Sequence, residues 1–372
     1  MTGEPVAAAP PAPVDTVERR EGVRERVADA GLDALLVTGR SNVRYLSGFT
    51  GSAGLLVVSA QPPDYFFTDF RYQAQVTGEL DPAVEVRIAS ESLLKQARLL
   101  LTERGAGRVA FEREQMSYRS WVEWCESEGP ALVPVQEWVE EARAVKSAAE
   151  IEAIRRACRV ADATFEVMLG VIREGVTERE LAARLGLELA REGADGPSFE
   201  PIVAFGERAA LPHARPSARE LRRGEVVLFD FGALVDGYVS DMTRTVAFGD
   251  PGPELRDIYS GVLAAQEAAL RGIRAGMSGP EADALARDPL EAAGYGELFG
   301  HSLGHGIGLE VHEAPRLSKK SEDRLVPGMT VTVEPGVYLE GVGGVRIEDD
   351  VVIRESGLEI LTASPKDRLI VL

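Results

Sequence analysis

Residues Glu225 to Phe248 read EVVLFDFGALVDGYVSDMTRTVAF, and no other segment restricts the fold as tightly. Asp236-Gly237 is the two-residue signature of a tight hairpin with positive φ at both centres. With that turn, Val235 faces Tyr238, and counting back along both strands sets Asp230 opposite Thr243. Alternation puts Asp241 on the same face, diagonal to Asp230. On a solvent face the two carboxylates would simply be hydrated. The flanking VVLF and the small and aromatic groups instead predict a buried strand pair. Buried paired carboxylates require a cation or a shared proton, so a metal is the better reading.

A matching arrangement recurs about a hundred residues on, in MTVTVEPGVYLEGVGGVRIEDDVVI, Met329 to Ile353. Alternation from Val331 to Glu334 predicts a strand ended by Pro335-Gly336, and GVGG supplies the next turn. Glu348 is expected in the following strand with Arg346 on its face by period two. Asp349 and Asp350 read as structural or solvated acids rather than ligands. Four carboxylates carry about four negative charges, which two divalent cations cancel. Oxygen-rich ligation with a single imidazole suits Mn²⁺ or Co²⁺, with Zn²⁺ as the alternative.

The imidazole comes from a sequence with only four histidines, three of them in HSLGHGIGLEVHE, 301–313. A zinc-protease helix is excluded, because Gly304, Gly306 and Gly308 interrupt the stretch and no HExxH pattern occurs. A lone histidine is more often packed or exposed than a ligand. The fourth, His213 in IVAFGERAALPHARP, lies just upstream of the aspartate hairpin.

At 372 residues the chain exceeds the size at which single cores stop growing, so two domains are expected. A helix over residues 16–30 is followed by strand-like DALLVTG, GLLVVSA, YFFTDF and VEVRIAS, with a helix ending at Gly105 between later pieces. This alternation predicts an α/β domain over 16–145, after an Ala/Pro-biased, disordered tail over 1–15. The aperiodic EEARAVKSAAE, 140–150, marks the boundary. A long helix then starts at Ser147, with Glu150 completing a capping box. From 146 to 372, two helices followed by paired strands occur twice, which predicts an α+β domain of two pseudo-symmetric halves.

Acids outnumber bases 60 to 41, for a net charge of −19, which argues against nucleic acid or an anionic membrane as partner. Cys125 and Cys158 stand apart from each other and from the histidines, so neither disulfides nor a Cys-rich zinc site is expected. No apolar run reaches the ~18 residues of a membrane span. The start lacks the pattern of a signal peptide, and a cytoplasmic protein is expected.

Taken in order, SNVRYLSGFTGS, FTDFRY, EPIVAFGERAALPH, DFGALVDGYVSDMTRT, HSLGHGIGLEVHEAPR, TVEPGVYL and GGVRIED resemble the pita-bread metallopeptidases, the family of prolidase and aminopeptidase P. The resemblance covers nearly the whole chain. It implies a creatinase/prolidase-like N-terminal domain and a pita-bread catalytic domain. It sets five metal ligands on Asp230, Asp241, His305, Glu334 and Glu348, with Asp241 and Glu348 bridging two metals. Asp230 then completes one metal, and His305 with Glu334 the other. Glu334, His213 and His312 become catalytic groups, and His213, His312 and Arg316 meet substrate, Arg316 holding the free carboxylate of a C-terminal proline. Thr243, near Asp241, together with His301 and Arg346, supports from behind. Arg44 and Tyr45 become contributors to selectivity.

The implied activity is hydrolysis of an Xaa-Pro bond, in Xaa-Pro dipeptides first, with a small proline-containing peptide as substrate and a homodimer as assembly. The alternative is the aminopeptidase P activity on longer peptides. Methionine aminopeptidase shares the catalytic fold but ordinarily lacks such an N-terminal domain. A non-catalytic binding module on this fold is a third reading, opposed by the presence of all five ligands. GFTGSAG, 48–54, lacks the Lys-Ser/Thr ending of a phosphate loop.

Overall fold

The computed structural model describes residues 15–372. The expected tail over 1–15 lies outside them except for Asp15, whose carboxylate accepts the Val17 and Glu18 N–H groups and caps the first helix. The chain divides into two compact units between Arg143 and Ala144. Among the described residues no helix is long and apolar enough to cross a membrane.

The first unit holds α1 (Thr16–Asp29), β1 (Ala34–Val37), α2 (Arg40–Ser47), β2 (Leu55–Ser59), β3 (Asp64–Asp69), α3 (Gln73–Glu79), β4 (Val84–Ala89), α4 (Leu93–Glu103), β5 (Arg108–Glu112), α5 (Tyr118–Cys125) and β6 (Ala131–Val135). It ends in α6 (Trp138–Ala144). One six-stranded sheet runs β4-β3-β2-β1-β5-β6. The β1–β2 and β2–β3 pairs are antiparallel and the other pairs parallel. The central strands are apolar because both faces are covered, with Leu36, Val57, Phe67, Val109 and Trp124 in one core. GFTGSAG is packing, not a cradle: Gly48 closes α2 in the left-handed region, and a Cβ at Gly51 would stand 2.3 Å from the Phe49 ring. Tyr45 is buried here, under the Arg19 guanidinium and donating to the Ala142 carbonyl.

The second unit starts with α7 (Ala148–Leu169) and α8 (Glu178–Arg191), each opened by a reciprocal capping box, Ser147 with Glu150 and Thr177 with Glu180. Next come β7 (Gly196–Pro197), β8 (Ile202–Phe205), β9 (Glu225–Phe231), β10 (Ala233–Val235), β11 (Tyr238–Val239) and β12 (Met242–Phe248). The second half repeats the plan with α9 (Pro253–Gly272) and α10 (Gly279–Ala292). Its strands are β13 (Gly304–Gly306), β14 (Glu313–Leu317), β15 (Thr330–Val333), β16 (Gly336–Leu339), β17 (Gly343–Arg346), β18 (Asp349–Arg354) and β19 (Gly357–Ile360). Each half has its own core. Phe165, Leu185, Phe229 and Phe231 pack under α7 and α8, and Ile258, Val262, Leu290, Val333 and Val337 under α9 and α10.

The hairpin register is the one the turn predicts. Asp236 and Gly237 both have positive φ, Val235 faces Tyr238, and Asp230 faces Thr243. Both halves then share a device that the local sequence pattern does not show. Phe231 faces Met242, and three residues further along each strand Leu234 faces Val239, but between these pairs the ladder opens and the strands pass from one sheet to another. In the second half Val333 faces Asp349, and three residues on Gly336 faces Arg346, with the same opening between. Glu348 therefore lies in the opening between β17 and β18, not inside a strand as expected. In the first opening a Cβ at Gly232 would fall 1.7 Å from the Ser240 carbonyl oxygen, so only glycine fits there.

Candidate metal centre

Asp241, Glu334 and Glu348 all sit at these two openings, and Asp230 lies one residue before the first, on Phe231's strand. A strand that leaves its ladder for another sheet frees its side chains from the regular alternation, and here the freed carboxylates converge. One donor atom each from Asp241, His305 and Glu348 lie within 4.8 Å of one another. His305 Nε2 is 3.3 Å from Glu334 Oε1 and 3.8 Å from Asp241 Oδ2.

His305 is set by β13, wedged between β14 and β15. Its glycine neighbours are steric necessities: a Cβ at Gly304 would stand 2.0 Å from the Thr332 carbonyl oxygen, and one at Gly306 2.1 Å from that of Ala314. The His305 N–H donates to Thr332 Oγ1, whose hydroxyl donates to Glu334 Oε1. Nδ1 lies 3.1 Å from the Gly306 carbonyl oxygen, which fixes its proton there and leaves Nε2 facing the carboxylates.

The electrostatics are those of an acid cluster removed from water. Burial, then Glu348 and Asp230, push the Asp241 carboxyl well above its usual range. Burial, then Glu334 and Asp230, do the same to Glu348. Asp230 is raised by burial, against the pull of Arg346. At Glu334 burial also acts upward, but the hydrogen bond and charge of His305 outweigh it and hold it below the usual range. His305 is correspondingly raised, burial being overcome by Glu334. Asp230 Oδ1 and Asp241 Oδ1 are buried with no hydrogen-bond partner. Buried carboxylate oxygens without donors, packed against further carboxylates and one oriented imidazole, fit divalent cations.

Behind this cluster stands Arg346, 3% exposed. It pairs with Asp230, donates 2.9 Å to Thr243 Oγ1 and 2.7 Å to the Tyr338 hydroxyl. Thr243, expected to bond near Asp241, donates to Glu348 Oε2 at 2.6 Å. The reason is that the Glu348 N–H bonds the Thr243 carbonyl, bringing the two residues side by side. Tyr338 sits 2.9 Å from His301 Nε2, whose Nδ1 faces the Ser302 carbonyl oxygen at 2.8 Å. Burial lowers His301 and pushes Tyr338 up to about 12, so both stay neutral at pH 7. His301 thus reaches Asp230 through Tyr338 and Arg346.

The substrate-side residues are more open. His312 is exposed, its ring centroid 4.3 Å from that of His305. Partial desolvation, then the His305 charge, lower its pKa, with Arg316 and His213 adding to the effect. His213 and Arg316 are both exposed. Arg316 faces His305 across β13 and β14, which puts both side chains on one face.

One residue here, Tyr338, is not singled out in the sequence. Tyr338 was within reach of the period-two pattern, since Gly336 faces Arg346 and a Cβ on Gly336 would strike the Tyr338 hydroxyl. Asp349 and Asp350 are fully buried, not solvated. Asp349 pairs with Arg244 and Lys366 and accepts from Gln266. Asp350 Oδ2 accepts the Asp241 N–H at 2.8 Å and the Cys158 thiol at 3.3 Å, and burial pushes it up to about 7. Cys158 therefore is not remote from the cluster. Nothing in the local pattern of α7 signals that contact, which depends on how α7 packs.

Comparisons with known proteins give the family of this chain. Residues 152–355 match metallopeptidase family M24, and residues 19–145 match the creatinase/prolidase N-terminal domain. An Xaa-Pro dipeptidase of Pyrococcus furiosus is 35% identical over 95% of this chain and 99% of its own. Among solved structures, an Xaa-Pro dipeptidase from Bacillus anthracis has TM-score 0.93 at 42% identity, covering 96% of this chain and 100% of that one. An X-Pro aminopeptidase from Thermotoga maritima has TM-score 0.88 at 38% identity, covering 95% and 99%. With its creatinase-type N-terminal domain and pita-bread catalytic domain, the chain belongs to metallopeptidase family M24 and is a peptidase.

Proposed function

We propose that this peptidase hydrolyses the Xaa-Pro bond of dipeptides. Asp230, Asp241, His305, Glu334 and Glu348 would hold two divalent cations, Mn²⁺ or Co²⁺ by the oxygen-rich donor set and Zn²⁺ as the alternative. When bound, the cations supply Lewis acidity that polarises the scissile carbonyl and makes water nucleophilic at neutral pH. The residues do the rest. Glu334, held ionised by His305, takes a proton from the attacking water. His312, neutral at pH 7, donates a hydrogen bond to the oxygen that gains negative charge. His213 contacts the substrate near it. The C–N bond breaks, hydroxyl joins the carbonyl carbon, and the proline nitrogen leaves with the proton.

The observation that carries the dipeptide reading is Arg316. Its guanidinium is exposed, on the face of His305, and makes no ion pair or hydrogen bond with a described side chain. A cation on the face of His305 fits a carboxylate one residue beyond the scissile bond. Proline contributes no N–H to a peptide-binding groove, so such end-group contacts must define its register. The second reading, release of the residue before proline from longer peptides, draws support from the likeness to the Thermotoga maritima enzyme.

Residues 16–145 and 146–372 are taken as the two domains, and a cytoplasmic homodimer as the working form. The deciding test compares kcat/KM for Ala-Pro with that for Ala-Pro-Ala on Mn²⁺-loaded protein. The dipeptide is expected to be favoured at least about tenfold, the weight of one charge-assisted hydrogen bond. Preference for the tripeptide would transfer the assignment to the aminopeptidase reading.

A further inference from the structure

His312 and Arg316 lie on one segment, and what fixes that segment is a buried ion pair outside the metal centre. Lys146 Nζ lies 3.0 Å from Glu313 Oε2, with side chains 1% and 6% exposed. Glu313 is the residue after His312. Its other oxygen, Oε1, accepts the N–H groups of Leu309 and Glu310 at 2.9 and 3.0 Å, closing the His312 turn on itself. The Lys146 ammonium also donates to the Ala144 carbonyl, and its backbone N–H donates to the Gly328 carbonyl oxygen, so it is anchored at both ends. Room for the carboxylate comes from Gly308, where a Cβ would stand 2.7 Å from Glu313 Oε2.

The geometry points to Glu313, held by Lys146, as the positioning residue that sets the His312 ring against His305. Two N–H donors and one ammonium on one carboxylate leave the 308–313 turn little freedom. The ring at its end then keeps its 4.3 Å separation from His305. Neither residue is among the five proposed metal ligands. A displaced His312 costs the reaction step more than it costs binding, because small misplacements of a reacting group weigh heavily on rate. This inference rests on the role proposed for His312, and its test separates the two.

The full-length, Mn²⁺-loaded protein is compared with Glu313→Gln and with the paired apolar replacement Lys146→Met/Glu313→Leu. The paired variant removes both charges of the pair together, which destabilises less than removing one alone. Amide exchange of residues 305–313 reads the clamp directly. Faster exchange in the paired variant is expected, and protection equal to the wild type overturns the clamp whatever His312 does. Hydrolysis of Ala-Pro reads its consequence. A fall in kcat of about tenfold or more is expected, with KM and Mn²⁺ affinity within about twofold of wild type. In a His312→Ala background the same replacement should cost less than about twofold. An equal loss on both backgrounds would show that Glu313 acts elsewhere and overturn the positioning role. Full activity of His312→Ala alone would refute the role of His312 while leaving the exchange result to judge the clamp.

Discussion

Stripping the metal should make the catalytic unit lose stability as pH rises, the reverse of ordinary acid denaturation. The perturbation is removal of divalent cations by a chelator. Asp230, Asp241, Glu348 and Asp350 then each have a folded-state pKa raised by burial. A raised carboxyl pKa means the folded chain retains a proton that the unfolded chain releases. The stabilisation is complete below the unfolded pKa and is lost as pH climbs to the folded one. For Asp350 the window runs from 3.8 to about 7, a shift of about three units, or ~4 kcal/mol across the window. Between about pH 5.5 and pH 8 Asp350 alone contributes ~2 kcal/mol of that loss, and Asp241 and Glu348 add to it. His305, also raised, acts in the same direction, while His301 and His312, both lowered, oppose it.

With cations bound the slope inverts, because the same carboxylates must lose protons to hold them. The assay is urea unfolding at both pH values, with and without Mn²⁺. Far-UV circular dichroism is the suitable probe, since Trp121, Trp124 and Trp138 all lie in the N-terminal unit. Stability of the stripped protein that is flat or rising from pH 5.5 to 8 would refute the picture of a buried, mutually repelling acid cluster.

Three further outcomes follow from the geometry. Asp241→Asn removes one of the repelling charges, so the stripped protein should melt higher than wild type while Mn²⁺ uptake and hydrolysis collapse, read by calorimetry and by turnover. Arg346→Met takes the orienting bonds from Asp230, Thr243 and Tyr338, and a roughly 10- to 100-fold loss of Mn²⁺ affinity is expected in a binding titration. Arg316→Ala should raise KM for Ala-Pro at least about tenfold with kcat little changed. Amidating the proline carboxyl should erase the difference between variant and wild type.

The sequence carried the fold where local rules dominate. Ser147 with Glu150 marks the start of α7, and Asp236-Gly237 fixes both the turn and the Asp230–Thr243 register, because caps and tight turns depend on residues a few positions apart. The boundary stretch 140–150 was less legible: α6 runs through its first residues to Ala144, since Val139 and Ala144 are buried against a core that the local pattern does not reveal. The openings of the two ladders were invisible for a similar reason. Glu348 looks like any strand residue until the Thr243 carbonyl takes its N–H. The Lys146–Glu313 pair joins residues far apart in the chain, and neither residue type announces a buried partner.

The central claim is that the acid cluster and His305 hold two divalent cations and that these drive hydrolysis at proline. Titrating stripped protein with Mn²⁺, while following both heat of binding and Ala-Pro hydrolysis, tests it most directly. Uptake of about two ions per chain is expected, as four carboxylates require, with activity absent before the titration and rising with occupancy. Hydrolysis of Ala-Pro at full rate by the stripped protein, or no uptake of Mn²⁺, Co²⁺ or Zn²⁺, would contradict it.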